Sequence, residues 1–116
     1  MQYLALIYTA PEAGPKYGTP AFKAMQDGYN ACTAELKARG AFVAGDGLKP
    51  VDTATSVRLR GGKVETMDGP FAETKEHLGG YYLIEVPDLD SAIKAASMIP
   101  AAAFGTVELR PIMVYN

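Results

Sequence analysis

Residues 3–8 are apolar on both of the faces that a strand would present, and this run limits the possible folds more than any other part of the sequence. Successive side chains of a strand point to opposite faces of its sheet. A strand with two apolar faces is typical of the middle of a sheet that is covered on both sides. The run therefore predicts a central strand, with Tyr3, Ala5 and Ile7 on one face and Leu4, Leu6 and Tyr8 on the other.

Two helices are predicted between the strands. Thr19 followed by Pro20 is a typical helix start, and apolar residues then recur every three or four positions up to Leu36. Asp88 is the predicted N-cap of a second helix that ends at Pro100. The predicted apolar stripe of this second helix consists of Leu89, Ala92, Ile93, Ala96 and Ile99.

The alternation of these elements predicts the fold class. Further strands are expected at residues 41–50, 80–86 and 106–115, the last with Met113 on an apolar face. The resulting order β-α-β-β-α-β is the ferredoxin-like split β-α-β arrangement of an α+β protein. Right-handed crossovers put both helices on one face of an antiparallel sheet. The whole chain, residues 1–116, is expected to be a single domain.

An extra β-hairpin is expected around Gly61 and Gly62. A two-residue Gly-Gly loop suits a type I′ turn, and the flanking residues 55–60 and 63–67 alternate between apolar and polar. This register places Arg58 opposite Glu65 and predicts a cross-strand pair.

The second face of the predicted sheet has no helix to cover it. It would carry the other side of the first strand together with Tyr81, Leu83, Glu85, Glu108, Arg110 and Ile112. Each large apolar side chain left in water forfeits roughly 1.5–3 kcal/mol. We therefore expect a homodimer, in which a second copy packs sheet against sheet and encloses a partly polar cleft. The alternative is a monomer that tolerates an amphipathic face.

Composition excludes several classes of protein. A net charge of −2 leaves no excess of Lys and Arg for nucleic acid. A single cysteine, Cys32, and a single histidine, His77, rule out Cys-rich and His-rich metal sites. No apolar run reaches the ~18 residues that a membrane span needs. Because the N-terminal residues read as a strand rather than a signal peptide, we expect a cytoplasmic protein that needs no cofactor and binds neither nucleic acid nor membranes.

Residues 68–80 read Asp-Gly-Pro-Phe-Ala-Glu-Thr-Lys-Glu-His-Leu-Gly-Gly, and half of the first ten are ionisable. Gly69 allows a sharp turn and Pro70 stiffens the backbone beside it. A stiff loop of this kind can line a pocket, in which a buried carboxylate has a raised pKa and acts as a general acid or base. The predicted catalytic residues are Asp68, Glu73 and His77, and the predicted substrate-binding residues are Phe71, Thr74, Lys75, Tyr81, Arg58 and Arg110.

Each of these residues also has a purely structural interpretation. Phe71 is suited to plug the core, His77 to make a surface hydrogen bond, and the charges of the loop to pair with one another. Arg58 and Arg110 could bind a substrate carboxylate, or they could pair with Glu65, Glu85 or Glu108. The motif could also serve only to build the dimer.

The motif resembles the DGPF domain of the YCII-related proteins. The likeness extends to residues 48–50, 54–58, 79–82, 89–93 and 107–111. It implies a bacterial protein with a ferredoxin-like fold that pairs into a dimeric α+β barrel and is often encoded near extracytoplasmic-function sigma factors. It also implies a suspected enzymatic role that uses a His and an Asp, and the Asp corresponds to Asp68. The His is expected in or near the first helix, but residues 22–39 contain none.

Two functions follow from these features. The first is binding of a small molecule in a cleft formed with the dimer partner, with cofactor-free acid–base catalysis by carboxylates of the motif. The second is a non-enzymatic module that docks a regulatory partner such as a sigma factor and presents the motif as an exposed surface. The direction of the motif side chains, into a shared cleft or out to solvent, discriminates between them.

Overall fold

A four-stranded sheet, two helices and a separate hairpin make up the structure, a computed structural model that describes residues 1–115. The strands are β1 (Gln2–Thr9), β2 (Phe42–Gly47), β3 (Thr55–Arg60), β4 (Lys63–Asp68), β5 (His77–Glu85) and β6 (Thr106–Pro111). The helices are α1 (Pro20–Ala38) and α2 (Leu89–Ser97), with two short 3-10 helices at Val51–Thr53 and Pro100–Ala103.

The strand order in the main sheet is β2-β5-β1-β6, and every neighbouring pair is antiparallel. Strands β1 and β2, which α1 connects, are separated by β5, and this is the split β-α-β connection of a ferredoxin-like fold. The prediction of an α+β protein with this topology is confirmed, as is the central position of β1.

The core lies between the helices and one face of the sheet. Tyr3, Ala5 and Ile7 of β1 are buried there against Cys32 and Leu36 of α1. Both predicted N-caps are confirmed by their hydrogen bonds. The side chain of Thr19 accepts from the Phe22 amide at 3.2 Å, and the carboxylate of Asp88 accepts from the Ser91 amide at 2.8 Å.

Two details of the predicted core are wrong. Leu89 and Ile93 of α2 are each 51% exposed, because the helix contacts the sheet through buried alanines, among them Ala95, which lets its backbone approach closely and leaves the larger residues outside. Strand β6 ends at Pro111, close to where its partner strand β1 begins at Gln2, so Met113 lies beyond the sheet and is 70% exposed.

The hairpin of β3 and β4 has the predicted turn and register. Gly61 and Gly62 have φ values of 55° and 80°, as a type I′ turn requires, and Arg58 lies opposite Glu65. The predicted ion pair is absent, since no salt bridge within residues 1–115 joins these two side chains. The Arg58 guanidinium instead lies over the ring of Phe71, 5.9 Å from its centroid.

The hairpin extends away from the rest of the chain. Val57, Leu59 and Val64 are 64%, 70% and 69% exposed. The radius of gyration is 16.1 Å, whereas about 13 Å is expected for a compact chain of this length. An isolated two-stranded hairpin is marginally stable at best in water, so this arm has an apolar surface that its own chain leaves uncovered.

The face of the sheet opposite the helices is also uncovered by residues 1–115. Its apolar members are half-buried and lie side by side on the two central strands, with Leu4 opposite Leu83 and Leu6 opposite Tyr81. The molecule is only 18 Å thick along its shortest axis, which fits one layer of helices on one layer of sheet. We call this surface the open sheet face, and the homodimer expected to cover it stays a prediction.

Candidate functional site

The motif forms the connection from β4 to β5 and is tied to the start of β3. Gly69 has a φ of +95°, a backbone conformation that side chains with a Cβ rarely adopt. Its amide donates to the Ala54 carbonyl at 2.7 Å, and its carbonyl accepts from the Ser56 hydroxyl at 2.8 Å. These two bonds fix the point at which the chain leaves the hairpin and turns back to the sheet.

A cavity of about 540 Å³ lies between the motif and residues 48–54. The motif contributes Pro70, Phe71, Ala72, Thr74 and His77 to its lining, and the opposite wall consists of Leu48, Lys49, Pro50, Val51, Thr53 and Ala54. Tyr8 and Leu78, which pair with each other on the open sheet face, complete it. We call this cavity the motif pocket.

In the described part of the chain, the motif pocket is lined by basic residues and by no acidic ones. Lys49 is the only lining residue with a permanent charge, and His77 is the only other one that can become cationic. No Asp or Glu within residues 1–115 is among the lining residues. Most of the other lining residues are apolar, so the pocket suits a molecule with an apolar body and an anionic group.

Hydroxyl groups supply the remaining polarity of the pocket. Tyr8, Thr53 and Thr74 are lining residues. The Thr74 hydroxyl donates to the carbonyl of Glu76, which fixes its direction within the loop. Tyr8 belongs to the sheet and Thr53 to the short 3-10 helix, and the Thr53 hydroxyl donates to the Pro50 carbonyl at 2.7 Å.

Only some of the predicted site residues line the motif pocket. Phe71, Thr74 and His77 line the motif pocket. Three of the loop's charged residues do not line it and are exposed, namely Asp68, Glu73 and Lys75. The Arg58 guanidinium covers the ring of Phe71 and so lies beside the pocket without lining it.

The two remaining candidates lie on the main sheet and already have partners. Tyr81 donates to the Asp46 carboxylate at 2.9 Å, and this hydrogen bond raises the pKa of the Tyr81 hydroxyl. Arg110 pairs with Glu108 at 3.3 Å on the edge strand β6. Neither residue lines the motif pocket.

Sequence reasoning missed the residues of the opposite wall. Lys49, Thr53 and Tyr8 are distant from the motif along the chain and carry no pattern that links them to it. The only available signal was the Leu-Lys-Pro run at residues 48–50, which places a cation between residues that favour a rigid loop.

Residues 1–115 contain neither a candidate metal centre nor a helix that could span a membrane. No three His, Cys, Asp or Glu side chains are grouped closely enough to hold a metal ion. Neither helix in this part of the chain is both long and apolar enough to cross a lipid bilayer.

Comparison with known proteins identifies the family. The family model described as the YCII-related domain matches residues 1–116. An uncharacterized protein of Rhizobium meliloti (strain 1021) is 43% identical over 71 residues, which is 60% of this chain and 57% of that protein. The aligned part thus spans little more than half of the relative's length. Because the family model covers the motif, the hairpin and every strand of the main sheet, the chain belongs to the YCII-related domain family.

Proposed function

We propose that this protein is a homodimer that binds a small amphipathic carboxylate in the motif pocket. The observation that carries the proposal is the lining of that pocket, which is largely apolar and includes Lys49 and His77 but no carboxylate. A volume of about 540 Å³ lies within the range of small-molecule sites.

The two cationic candidates suit recognition of an anion. A hydrogen bond from Lys49, or from a protonated His77, to a carboxylate is charge-assisted and therefore stronger than a neutral one. Phe71 and Leu78 offer apolar surface for the body of the ligand, and a cation beside an apolar wall orients an amphipathic molecule.

The dimer contributes to this site because the motif pocket reaches the open sheet face. Tyr8 and Leu78 belong to both, so a second copy on that face closes the pocket to solvent. The exposed apolar side chains of the hairpin, among them Leu59, provide additional surface for contact with the partner. The site is then a cleft formed with the dimer partner.

Catalysis in this cleft would use His77 first. It is the only one of the three predicted catalytic residues that lines the motif pocket, and histidine is the commonest general acid or base in enzymes. Asp68 and Glu73 are exposed in the single chain, so they act on the ligand only where the dimer brings them to the cleft. The reaction needs no cofactor in this proposal.

A second candidate function is supported by those same exposed charges. Asp68, Glu73 and Lys75 are presented to solvent on a connection that Gly69 anchors by two hydrogen bonds and Pro70 stiffens. A rigid, exposed, charged segment is suited to docking a regulatory protein such as an extracytoplasmic-function sigma factor, without catalysis.

Titration with 1-naphthoate, an aromatic carboxylate, tests the first proposal. We expect saturable shifts of the Ala54, Ala72 and Thr74 amides in nuclear magnetic resonance spectra. Lys49→Gln should weaken binding at least about tenfold, the usual loss for a hydrogen bond to a charged group. The matched control is Lys63→Gln, an exposed lysine at the hairpin tip, which should leave the affinity unchanged.

Two results would contradict binding at this site. One is the absence of saturable shifts in the wild-type protein, and the other is equal affinity of Lys49→Gln and Lys63→Gln. Binding that survives replacement of Asp68, Glu73 and Lys75 by neutral amides separates the first function from the second, because docking of a regulatory protein depends on these charges and carboxylate binding does not.

A further inference from the structure

A second cavity lies on the other side of the sheet, under the first half of α1. Its volume is about 560 Å³, and it shares only Leu48 with the motif pocket. The C-terminal half of α1 packs closely on the sheet through the buried Cys32 and Leu36, whereas Met25 and Tyr29 in the first half are only partly buried. We call this space the helix cavity.

Glycines form the floor of the helix cavity. On the helix side of the sheet, Gly45 of β2 lies opposite Tyr82, and Gly47 lies opposite Gly80 of β5. Glycine in a strand weakens it and often marks a close approach by backbone or ligand. At Gly47 and Gly80 the floor therefore lacks the side chains that normally separate a helix from a sheet.

Packing within the chain accounts for two of these glycines but not for the third. A Cβ at Gly45 would lie 2.8 Å from the Tyr82 ring, and one at Gly80 would lie 3.0 Å from the Asp46 carbonyl oxygen. A Cβ at Gly47 would meet no atom within 4 Å, and its φ is not in the left-handed region. Gly47 thus leaves open space at the mouth of the cavity that a side chain would fill.

The walls of the cavity are aromatic and its polar groups are mostly neutral. Phe22, Tyr29, Phe42 and Tyr82 are lining residues. The hydroxyls of Tyr82 and Thr33 share a hydrogen bond of 2.8 Å. Burial raises the pKa of both Tyr29 and Tyr82, so these phenols stay uncharged at neutral pH.

The charge of the helix cavity differs from that of the motif pocket. Asp46 is its only charged lining residue, and no Lys, Arg or His within residues 1–115 is among the lining residues. The Asp46 carboxylate also accepts a hydrogen bond from Tyr81 at 2.9 Å. Because Tyr81 lies on the open sheet face, this hydrogen bond turns the Asp46 carboxylate away from the helix cavity, and a carboxylate ligand would find no cation from residues 1–115 in the cavity.

We propose that the helix cavity is a second binding site, for an uncharged, flat ring compound that carries one hydroxyl or carbonyl group. The glycine floor and the aromatic walls provide a slot for a flat apolar body, and the Thr33–Tyr82 hydroxyl pair provides the hydrogen bond for its polar group. Its lining differs from that of the carboxylate site in the motif pocket except at Leu48.

Titration of the full-length protein with 1-naphthol, a neutral ring compound with one hydroxyl, tests the proposal. We expect saturable shifts of the Gly45, Gly47 and Gly80 amides, and affinity at these positions at least tenfold higher than for 1-naphthoate. Gly47→Leu should fill the slot and weaken 1-naphthol binding at least tenfold. The matched control is Val43→Leu, an addition to the same strand at an exposed residue that does not line the cavity.

A second variant keeps the test decisive if Gly47→Leu does not fold. Tyr82→Phe removes one hydroxyl of the pair and should weaken 1-naphthol binding about two- to tenfold, as expected for loss of one neutral hydrogen bond. The proposal is overturned if 1-naphthol shifts the Ala72 and Thr74 amides instead of the glycines, or shifts none. It is also overturned if both variants bind 1-naphthol like the wild-type protein. Failure of 1-naphthoate to bind contradicts only the carboxylate site.

Discussion

A lysine at position 6 tests the homodimer at the centre of the open sheet face. Leu6 lies between Tyr81 and Glu108 on the neighbouring strands and is half-buried in the single chain. A two-fold dimer contains the residue twice, so Leu6→Lys places two ammonium groups in the closed interface. The Glu108 carboxylate, the nearest anion across the strands, already pairs with Arg110 at 3.3 Å.

The expected cost to association is large, whereas the cost to the monomer is small. Removing an ion from water costs several kcal/mol in a protein even after relaxation. Two copies therefore bring the loss above about 4 kcal/mol, which raises the dimer Kd about a thousandfold. In the monomer the lysine reaches water, and its free energy of unfolding should fall by about 1 kcal/mol or less.

Sedimentation velocity over a concentration series measures this effect. The control is Ile93→Lys, which adds the same charge at a residue of α2 that is 51% exposed on the outer side. We expect the wild-type protein and Ile93→Lys to be dimers at micromolar concentration and Leu6→Lys to be a folded monomer. The reasoning is refuted if the wild-type protein sediments at 12.3 kDa, or if both lysine variants have the same Kd.

Three further predictions concern single elements. The pKa of Asp88 is lowered by its hydrogen bonds from Ser91, so the stabilisation that it provides is present above its ordinary pKa and is lost as pH falls through the lower folded value. Between about pH 5 and about pH 2, the urea midpoint of Asp88→Asn should therefore fall less than that of the wild-type protein, and an equal fall would contradict this. The pKa of Tyr29 is raised by burial, so the free energy of unfolding falls as pH rises above about 10. Tyr29→Phe should reduce that fall, whereas the control Tyr17→Phe, at a residue that is 87% exposed, should not. Gly62 has a φ of 80°, so an alanine there is strained by about 1–2 kcal/mol. Gly62→Ala should therefore speed amide hydrogen exchange in the hairpin about 5- to 30-fold and leave exchange in β1 unchanged. Equal acceleration in β1 would argue against an independent arm.

The parts of the fold that the sequence predicted are those encoded by neighbouring residues. The cap at Thr19 needs only the first turn of its helix, and the turn at Gly61 and Gly62 needs only positive φ angles, so both could be identified without tertiary information. The central position of β1 was also accessible, because two apolar faces are a property of the strand itself.

The sequence predicted the candidate site only in part, because some of its residues meet only through the tertiary structure. Phe71 and His77 were identified because they belong to a recognisable motif, but Lys49 reaches the same pocket through a turn of the chain that no local pattern encodes. The predicted Arg58–Glu65 pair failed in a similar way. An aromatic ring from the following loop lies beside the guanidinium, and a contact between a cation and a ring competes with an exposed ion pair of little net worth.

The motif itself separates into a structural part and a part that the single chain does not explain. Gly69 supplies the left-handed turn and the two hydrogen bonds to the hairpin, Pro70 stiffens the connection, and Phe71 packs under Arg58. Asp68, Glu73 and Lys75 form no salt bridge within residues 1–115. Exposed charges without partners contribute little to stability, so stability of the single chain does not account for three of them beside the motif pocket, and we propose that they meet a partner. A second copy on the open sheet face and a regulatory protein docked on the motif would each bring such a contact.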